Sequence, residues 1–379
     1  MIIEQVNGKF TGTGNYQDIL IKGETHVKGM RECSERWKKI KPYLKNSRVI
    51  IDVGSDLGYF TSKIAKEKPE SLVVSIESAE KACKIQKKIF EIEKYKNVAL
   101  CNVKFDTEML LGLKATVEGI DTFLALSMFH HHPVEIVREQ IKLMSEMSPQ
   151  LIIELPIFSG ESNATGQQLK GFEKELEHFY STVKIIGEES LGPKQKRVIY
   201  NCTNDHLIRE KLSPTFSYNP NPKAMHQVHK LIYRNNEWKH FKKKSDLGDY
   251  TPEKPFFPGF ALWTLLYWNL LWPESDYLID QTKQGYEALF KRSQSIGDVR
   301  VQNLVMTYNG LKVIDYYHIE SQEHARKDLE KVVKVLETKS IKTAIQLFTQ
   351  PKKKSRKSIR KNVKRSRGKR NNIKRKKKG

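Results

Sequence analysis

Between residues 46 and 204, short uninterrupted apolar runs are separated by longer amphipathic stretches. That is the pattern of strands buried on both faces alternating with helices that bury one. The strand-like runs are 49–51, 72–76, 98–103, 120–126 and 151–154, followed by two further candidates at 183–186 and 197–202. Between them, 59–65, 79–95, 107–116, 134–147 and 167–180 carry helical spacing. Strand then helix, repeated, predicts an α/β fold around a mostly parallel sheet.

The first run ends in a turn, VIIDVGSDLGYF, with Asp52 closing the strand and Gly54, Ser55 and Gly58 in the bend. Glycine takes positive φ freely and has no Cβ, so this backbone can pass close to a ligand. The spacing D-x-G-x-x-x-G is not the dinucleotide fingerprint, which needs G-x-G-x-x-G. It resembles the first motif of class I S-adenosylmethionine (SAM) methyltransferases. Glu77 then closes the second run, where an acid accepts from ribose hydroxyls in nucleotide-binding sheets. The resemblance covers residues 46–204 and implies a Rossmann-like sheet of seven strands with an antiparallel last strand. The alternative is an unrelated α/β sheet with a glycine turn. By the same resemblance, Asp52 orders the turn and reaches the methionine amine, and Gly54, Ser55 and Gly58 admit the cofactor. Glu77 holds the ribose, Asp106 or Asn102 contacts adenine, and Ser127 with Met128 faces the methyl donor.

Two segments bear on the acceptor. After the fourth strand the chain reads LSMFHHHP, and His131 is the candidate to take a proton from an acceptor. The histidines also suit a plainer role, shaping the loop and capping the next helix. Base N-methyltransferases of this class carry N/D-P-P-Y/F here, so this sequence departs from them. Ahead of the sheet stand Tyr16 and Gln17, then Gly29, Arg31 and Arg36, an arrangement similar to bacterial methyltransferases of surface-polysaccharide modification, some fused to a kinase. That likeness implies that Tyr16, Gln17, Arg31 and Arg36 line the cofactor or acceptor mouth. Position alone suggests an amphipathic helix over 30–44 covering the sheet edge.

The kinase fusion directs attention to 205–350. Asp298 stands five residues before Asn303, a hairpin signal follows at Asn309-Gly310, and then comes Asp315. Protein kinases place their base, metal ligands and hairpin in this order. Here the triplet is Asp315-Tyr316-Tyr317, no glycine-rich loop precedes it, and space is short for a nucleotide lobe. A reduced, inactive kinase-like remnant is expected, with a coincidental match as the alternative. Residues 213–222 read as a linker, 256–272 as a buried tryptophan-rich helix, and 321–336 as a closing helix.

Charge adds the last division. Of the net +23, 17 Lys or Arg and no acid lie between Lys352 and Lys378. Such a segment buries no core and is expected to be disordered and to bind a polyanion, be it RNA, DNA or an anionic polymer. The four cysteines show neither metal nor disulfide spacing, which suits a reducing compartment with no metal site. No secretory leader opens the chain, and a cytoplasmic location is expected. The expected organisation is a cap over 1–45, a methyltransferase domain over 46–204, an accessory α+β domain over 205–350 and the basic tail over 351–379. The expected activity is SAM-dependent methyl transfer. An RNA methyltransferase, a bifunctional methyltransferase-kinase and a non-catalytic polyanion-binding scaffold are the alternatives.

Overall fold

The computed structural model describes residues 2–6, 9–13, 16–114, 116, 118–158, 169–190, 195–213, 227–244, 251–252, 259–292, 295–296, 299–313 and 320–349. Two hairpins open the chain, β1 (Ile2–Val6) with β2 (Lys9–Thr13) and β3 (Ile19–Ile21) with β4 (Glu24–Val27). Helix α1 (Cys33–Ile40) follows and tightens into a 3-10 turn over Lys41–Leu44. It starts later than the expected 30, because the Arg31 amide donates to the Tyr16 carbonyl and holds that stretch against the hairpin.

The alternating block is β5 (Val49–Val53), α2 (Tyr59–Glu67), β6 (Leu72–Glu77), α3 (Glu80–Glu93), β7 (Val98–Asn102), α4 (Thr107–Lys114), β8 (Thr122–Ala125), α5 (Val134–Ser145) and β9 (Gln150–Phe158). Every residue of β5, β6 and β8 is buried, as strands covered by helices on both faces require. Strands β10 (Thr182–Ser190) and β11 (Gln195–Thr203) complete it. Where a helix was expected over 167–180, the described part is a 3-10 turn, Phe172–His178, entered through left-handed Gly171 at φ +84°.

The later elements are β12 (Leu207–Ser213), β13 (Gln227–Arg234), β14 (Glu237–Lys244), β15 (Thr251–Pro252), β16 (Gly259–Ala261), α6 (Leu262–Tyr267), β17 (Leu270–Trp272), α7 (Ser275–Arg292), β18 (Ser295–Ile296), β19 (Leu304–Thr307), β20 (Gly310–Val313), β21 (Glu320–Ser321), α8 (Gln322–Thr338) and α9 (Ile341–Thr349). The tryptophan-rich stretch is therefore strand, short helix and strand instead of one helix. Gly259 leaves no room for a side chain against Met306, and Asn269 turns the chain at φ +56°.

The main sheet has the order β10-β11-β9-β8-β5-β6-β7-β17. Strands β7, β6, β5, β8 and β9 are parallel, while β11 runs antiparallel to both β9 and β10. These seven strands have the class I methyltransferase arrangement, a Rossmann-like mixed sheet. The eighth, β17, is unexpected: it pairs antiparallel with β7 and comes from the C-terminal segment. Trp272 Nε1 donates to the Tyr95 carbonyl at 2.9 Å, and Phe260, Leu262, Leu265 and Leu270 share one apolar core with the sheet.

The β19–β20 hairpin lies where expected, with a shifted turn. Thr307 pairs with Gly310, so Tyr308 and Asn309 form the loop and Gly310, φ +81°, begins the return strand. Asn309 is not left-handed, so the turn is not the type I′ that Asn-Gly favours. Asn303 ends a 3-10 turn over Val301–Asn303, while Asp298 and Asp315 lie outside the described residues. So does the tail over 352–378. Among the described residues no helix is long and apolar enough to cross a membrane.

Candidate active site

The turn after β5 sits at the carboxyl edge of the sheet, where open α/β folds bind ligands. Its backbone is left-handed at three alternate positions: Gly54 (φ +65°), Asp56 (φ +50°) and Gly58 (φ +79°). The Gly54 and Ser55 amides donate to the Ile76 carbonyl at 2.9 and 3.1 Å, which pins the turn to β6. A Cβ on Gly58 would meet Gln86 at 3.0 Å, so helix α3 packs against the turn at that point. Gln86 donates to Ser55 Oγ and to the Asp56 carbonyl at 2.8 and 2.7 Å.

Three carboxylates surround this turn. Asp52 is buried and accepts from Thr61 Oγ1 at 2.6 Å, tying the strand end to α2. Burial, with Glu77 nearby, raises its pKa to about 7. Glu77 accepts from the Asp56 amide at 2.8 Å and the Ala79 amide at 2.7 Å, one on each oxygen. Each oxygen keeps a further lone pair. Asp56 has a buried Oδ2 without a hydrogen-bond partner, and burial together with Glu77 raises its pKa to about 6. Carboxylates that make no ion pair among the described residues, one with an orphaned oxygen, fit a ligand carrying positive charge and hydroxyl donors. SAM, with its ammonium, sulfonium and ribose, has that chemistry.

The residues expected near adenine hydrogen-bond within the protein. Asn102 donates to the Glu77 and Ser78 carbonyls at 3.0 and 3.1 Å, and Asp106 accepts from the Met109 amide at 3.0 Å, capping α4. On the other side Met128 lies over Gly54, its Cγ 3.4 Å from the position a Cβ would take. Ser127, left-handed at φ +58°, donates to Glu154 Oε1 at 2.7 Å.

Glu154, 1% exposed in the middle of β9, is the hub of a second cluster. It accepts from Arg31 at 3.1 Å, from Ser127 and from Arg36. Burial alone would raise its pKa, but Arg36 and Arg31 hold it below the usual range. Arg31 also reaches Glu189 and donates to Tyr16 Oη at 3.2 Å. Arg197, on β11, lies 3.2 Å from His130 Nδ1. A recess of about 220 Å³ opens here, its floor formed by Glu154, Arg36 and Arg197 and its rim by Glu32, Glu35, Lys39, Glu188 and Glu189. Arg36 Nη1 and Arg197 Nε are buried at its floor without partners.

Of the entry residues, Arg31 and Arg36 meet at Glu154, with Tyr16 against Arg31. Gln17 is elsewhere: its Oε1 accepts from the Tyr59 amide at 3.1 Å, capping α2 directly beneath the glycine turn. In the histidine run, His130 is buried, and burial with Arg197 alongside lowers its pKa to about 3. His131 is exposed, its ring 3.9 Å from that of His130. Sequence reasoning missed Asp56, Glu154 and Arg197 as site residues. The available signals were an acid inside a glycine turn, where aspartate tolerates left-handed backbone, and an acid interrupting an otherwise apolar run.

No protein-family model and no curated protein matches the chain. Among solved structures it is similar to the N-terminal domain of EvdMO1 with SAH bound, at 13% identity over 50% of this chain and 92% of that one, TM-score 0.40. It is similar to the bifunctional kinase-methyltransferase WbdD at 16% identity over 81% of both chains, TM-score 0.41. It is also similar to the methyltransferase domain of bacterial CtHen1, at 15% identity over 44% of this chain and 97% of that one, TM-score 0.34. The fold class stands on the chain's own strand order, which is that of a Rossmann-like class I methyltransferase sheet.

Proposed function

We propose that this protein is a SAM-dependent methyltransferase whose acceptor enters the recess over Glu154. The observation that carries the reading is the left-handed turn of Gly54, Asp56 and Gly58 at the carboxyl edge of that sheet, with Glu77 beside it. Glu77 and Asp56 would hold ribose and ammonium, Gly54 would admit the cofactor backbone, and Asn102 and Asp106 would border adenine. When bound, SAM supplies an already activated methyl group.

The chain's own contribution is mainly alignment, which can lower a transfer barrier substantially without acid-base help. Met128 covers Gly54 and Ser127 donates to Glu154, so both stand between the turn and the recess, and the ion pair with Glu154 fixes Arg36 at its floor. Any proton step falls to His131. The Nδ1 of His130 faces a guanidinium donor, which leaves that ring neutral with its lone pair engaged. A carbohydrate acceptor is the reading favoured by the entry residues.

Thermal melting of the full chain with and without SAM tests the reading, with Glu77→Ala as comparison. Stabilisation of the wild type by SAM, lost or strongly reduced in the variant, is expected. Equal stabilisation of both, or none of the wild type, would count against it.

A further inference from the structure

The charges at the recess over Glu154 do not cancel. Arg36 and Glu154 form an ion pair at its floor, and Arg31 pairs both with Glu154 and with Glu189 at the rim. Arg197 is the third guanidinium at this place, 7% exposed, and it makes no ion pair among the described residues. Three guanidinium groups thus meet two carboxylates, and one positive charge is left over. The nearest partner of Arg197 supplies no counter-charge: His130 Nδ1 lies 3.2 Å from Nη1, and burial lowers the His130 pKa to about 3, so the ring is neutral. Burial lowers the pKa of Arg197 as well, despite Glu154 nearby. A buried cation without an anion is costly, and a bound anion would remove that cost.

Unused donors call for the same kind of ligand. Arg36 Nε and Nη1 and Arg197 Nε are buried without hydrogen-bond partners. Arg36 is held in place by Glu154 and by the Phe60 ring, whose centroid is 5.1 Å from its guanidinium carbon. The acids of the rim do not close the site to an anion, because Glu32 pairs with Lys28, Glu35 with Lys38 and Glu188 with Lys196. Paired near the surface, these carboxylates still have lone pairs for hydroxyl groups.

We propose that the recess anchors the methyl acceptor by a carboxylate, and that the acceptor is an acidic sugar of the uronic-acid class. This rests on the methyltransferase reading and names its substrate. Planar guanidinium donors at the floor match a carboxylate, and the rim acids accept from ring hydroxyls. A volume of about 220 Å³ is below the roughly 300 Å³ at which sites for drug-sized ligands begin, so one sugar unit enters and not a length of chain. The single leftover charge also selects the anion. A carboxylate cancels it, whereas a phosphate monoester, carrying about −1.5 to −2 at neutral pH, would bring excess negative charge beside buried Glu154.

The test titrates methyl glucuronoside, methyl glucoside and glucosyl phosphate into the full chain at physiological ionic strength, followed by ligand-observed NMR, with SAM binding measured by calorimetry on the same samples. The glucuronoside is expected to bind about 10-fold or more tightly than either of the others, and Arg197→Gln to weaken it about 10- to 100-fold while binding SAM as the wild type does. Glu77→Ala is expected to lose SAM and keep the glucuronoside, which separates this site from the cofactor site. Equal binding of glucoside and glucuronoside, or tighter binding of glucosyl phosphate, would overturn the proposal, and neither outcome depends on a variant folding. So would a wild type that binds no glucuronoside with an Arg197→Gln variant that loses SAM, since the floor would then hold the carboxylate of the cofactor itself. Glucuronoside binding by a chain that binds no SAM would support the carboxylate site and count against the methyltransferase reading alone.

Discussion

Asp56 occupies a left-handed position that glycine would fill without strain, and its carboxylate has a buried oxygen to spare. An ionised Asp56 favours a cationic ligand, and with its pKa raised to about 6 it loses that charge as pH falls. SAM affinity is therefore expected to weaken below about pH 6 and to level off above it, and Asp56→Asn to flatten the profile in calorimetry at pH 5 and pH 8. Asp52 acts on stability instead. Its folded pKa of about 7 lies above the unfolded value, so the native state binds more protons and stability falls as pH rises between about 4 and 7. Asp52→Asn, which still accepts from Thr61, is expected to make that slope shallower in urea unfolding, the remainder coming from Asp56 and Asp121, whose pKa values burial raises to about 6. For the proton step, His131→Ala is expected to lower turnover on an identified acceptor about 100-fold while leaving SAM affinity unchanged; unchanged turnover would make the residue a spectator. At this scale the glycines, Glu77 and the arginines were legible as residue types in known positions. Glu154 and Arg197 were not, because their meeting depends on strands β9 and β11 lying side by side.

At the scale of elements, periodicity located every strand of the main sheet over 46–204, and boundaries shifted by a few residues. Buried parallel strands are self-announcing in sequence, since both faces must be apolar. What failed had a physical cause. The stretch around Trp268 reads as one apolar helix, yet Gly259 and left-handed Asn269 break it, and the freed end adds to the β7 edge as β17. Edge pairing is decided by backbone hydrogen bonds that composition does not report. Because β17 buries Leu270 and Trp272 and the neighbouring helix buries Leu265, the methyltransferase unit extends into the accessory segment. Leu265→Ala is expected to cost about 2–5 kcal/mol in denaturant unfolding and to lower the single midpoint of the whole protein. A loss confined to a separate C-terminal transition would show instead that the segment folds by itself.

Across the whole molecule, the two clusters at the sheet edge differ in how their charges are paired. Asp52, Asp56 and Glu77 around the glycine turn make no ion pair among the described residues, while on the recess side Arg31 and Arg36 pair with Glu154 and Arg197 stands near it. Under the proposed reading, SAM would lie on one side of Met128 and a polar acceptor on the other, the arrangement a group transfer between them needs. The most direct measurement is calorimetric titration of SAM into the full chain and into Gly54→Arg, with circular dichroism verifying that the variant is folded. Saturable binding at micromolar SAM to the wild type, absent from the folded variant, is the predicted result. Absence of binding to the wild type, or equal binding to both, would contradict a cofactor site at this turn.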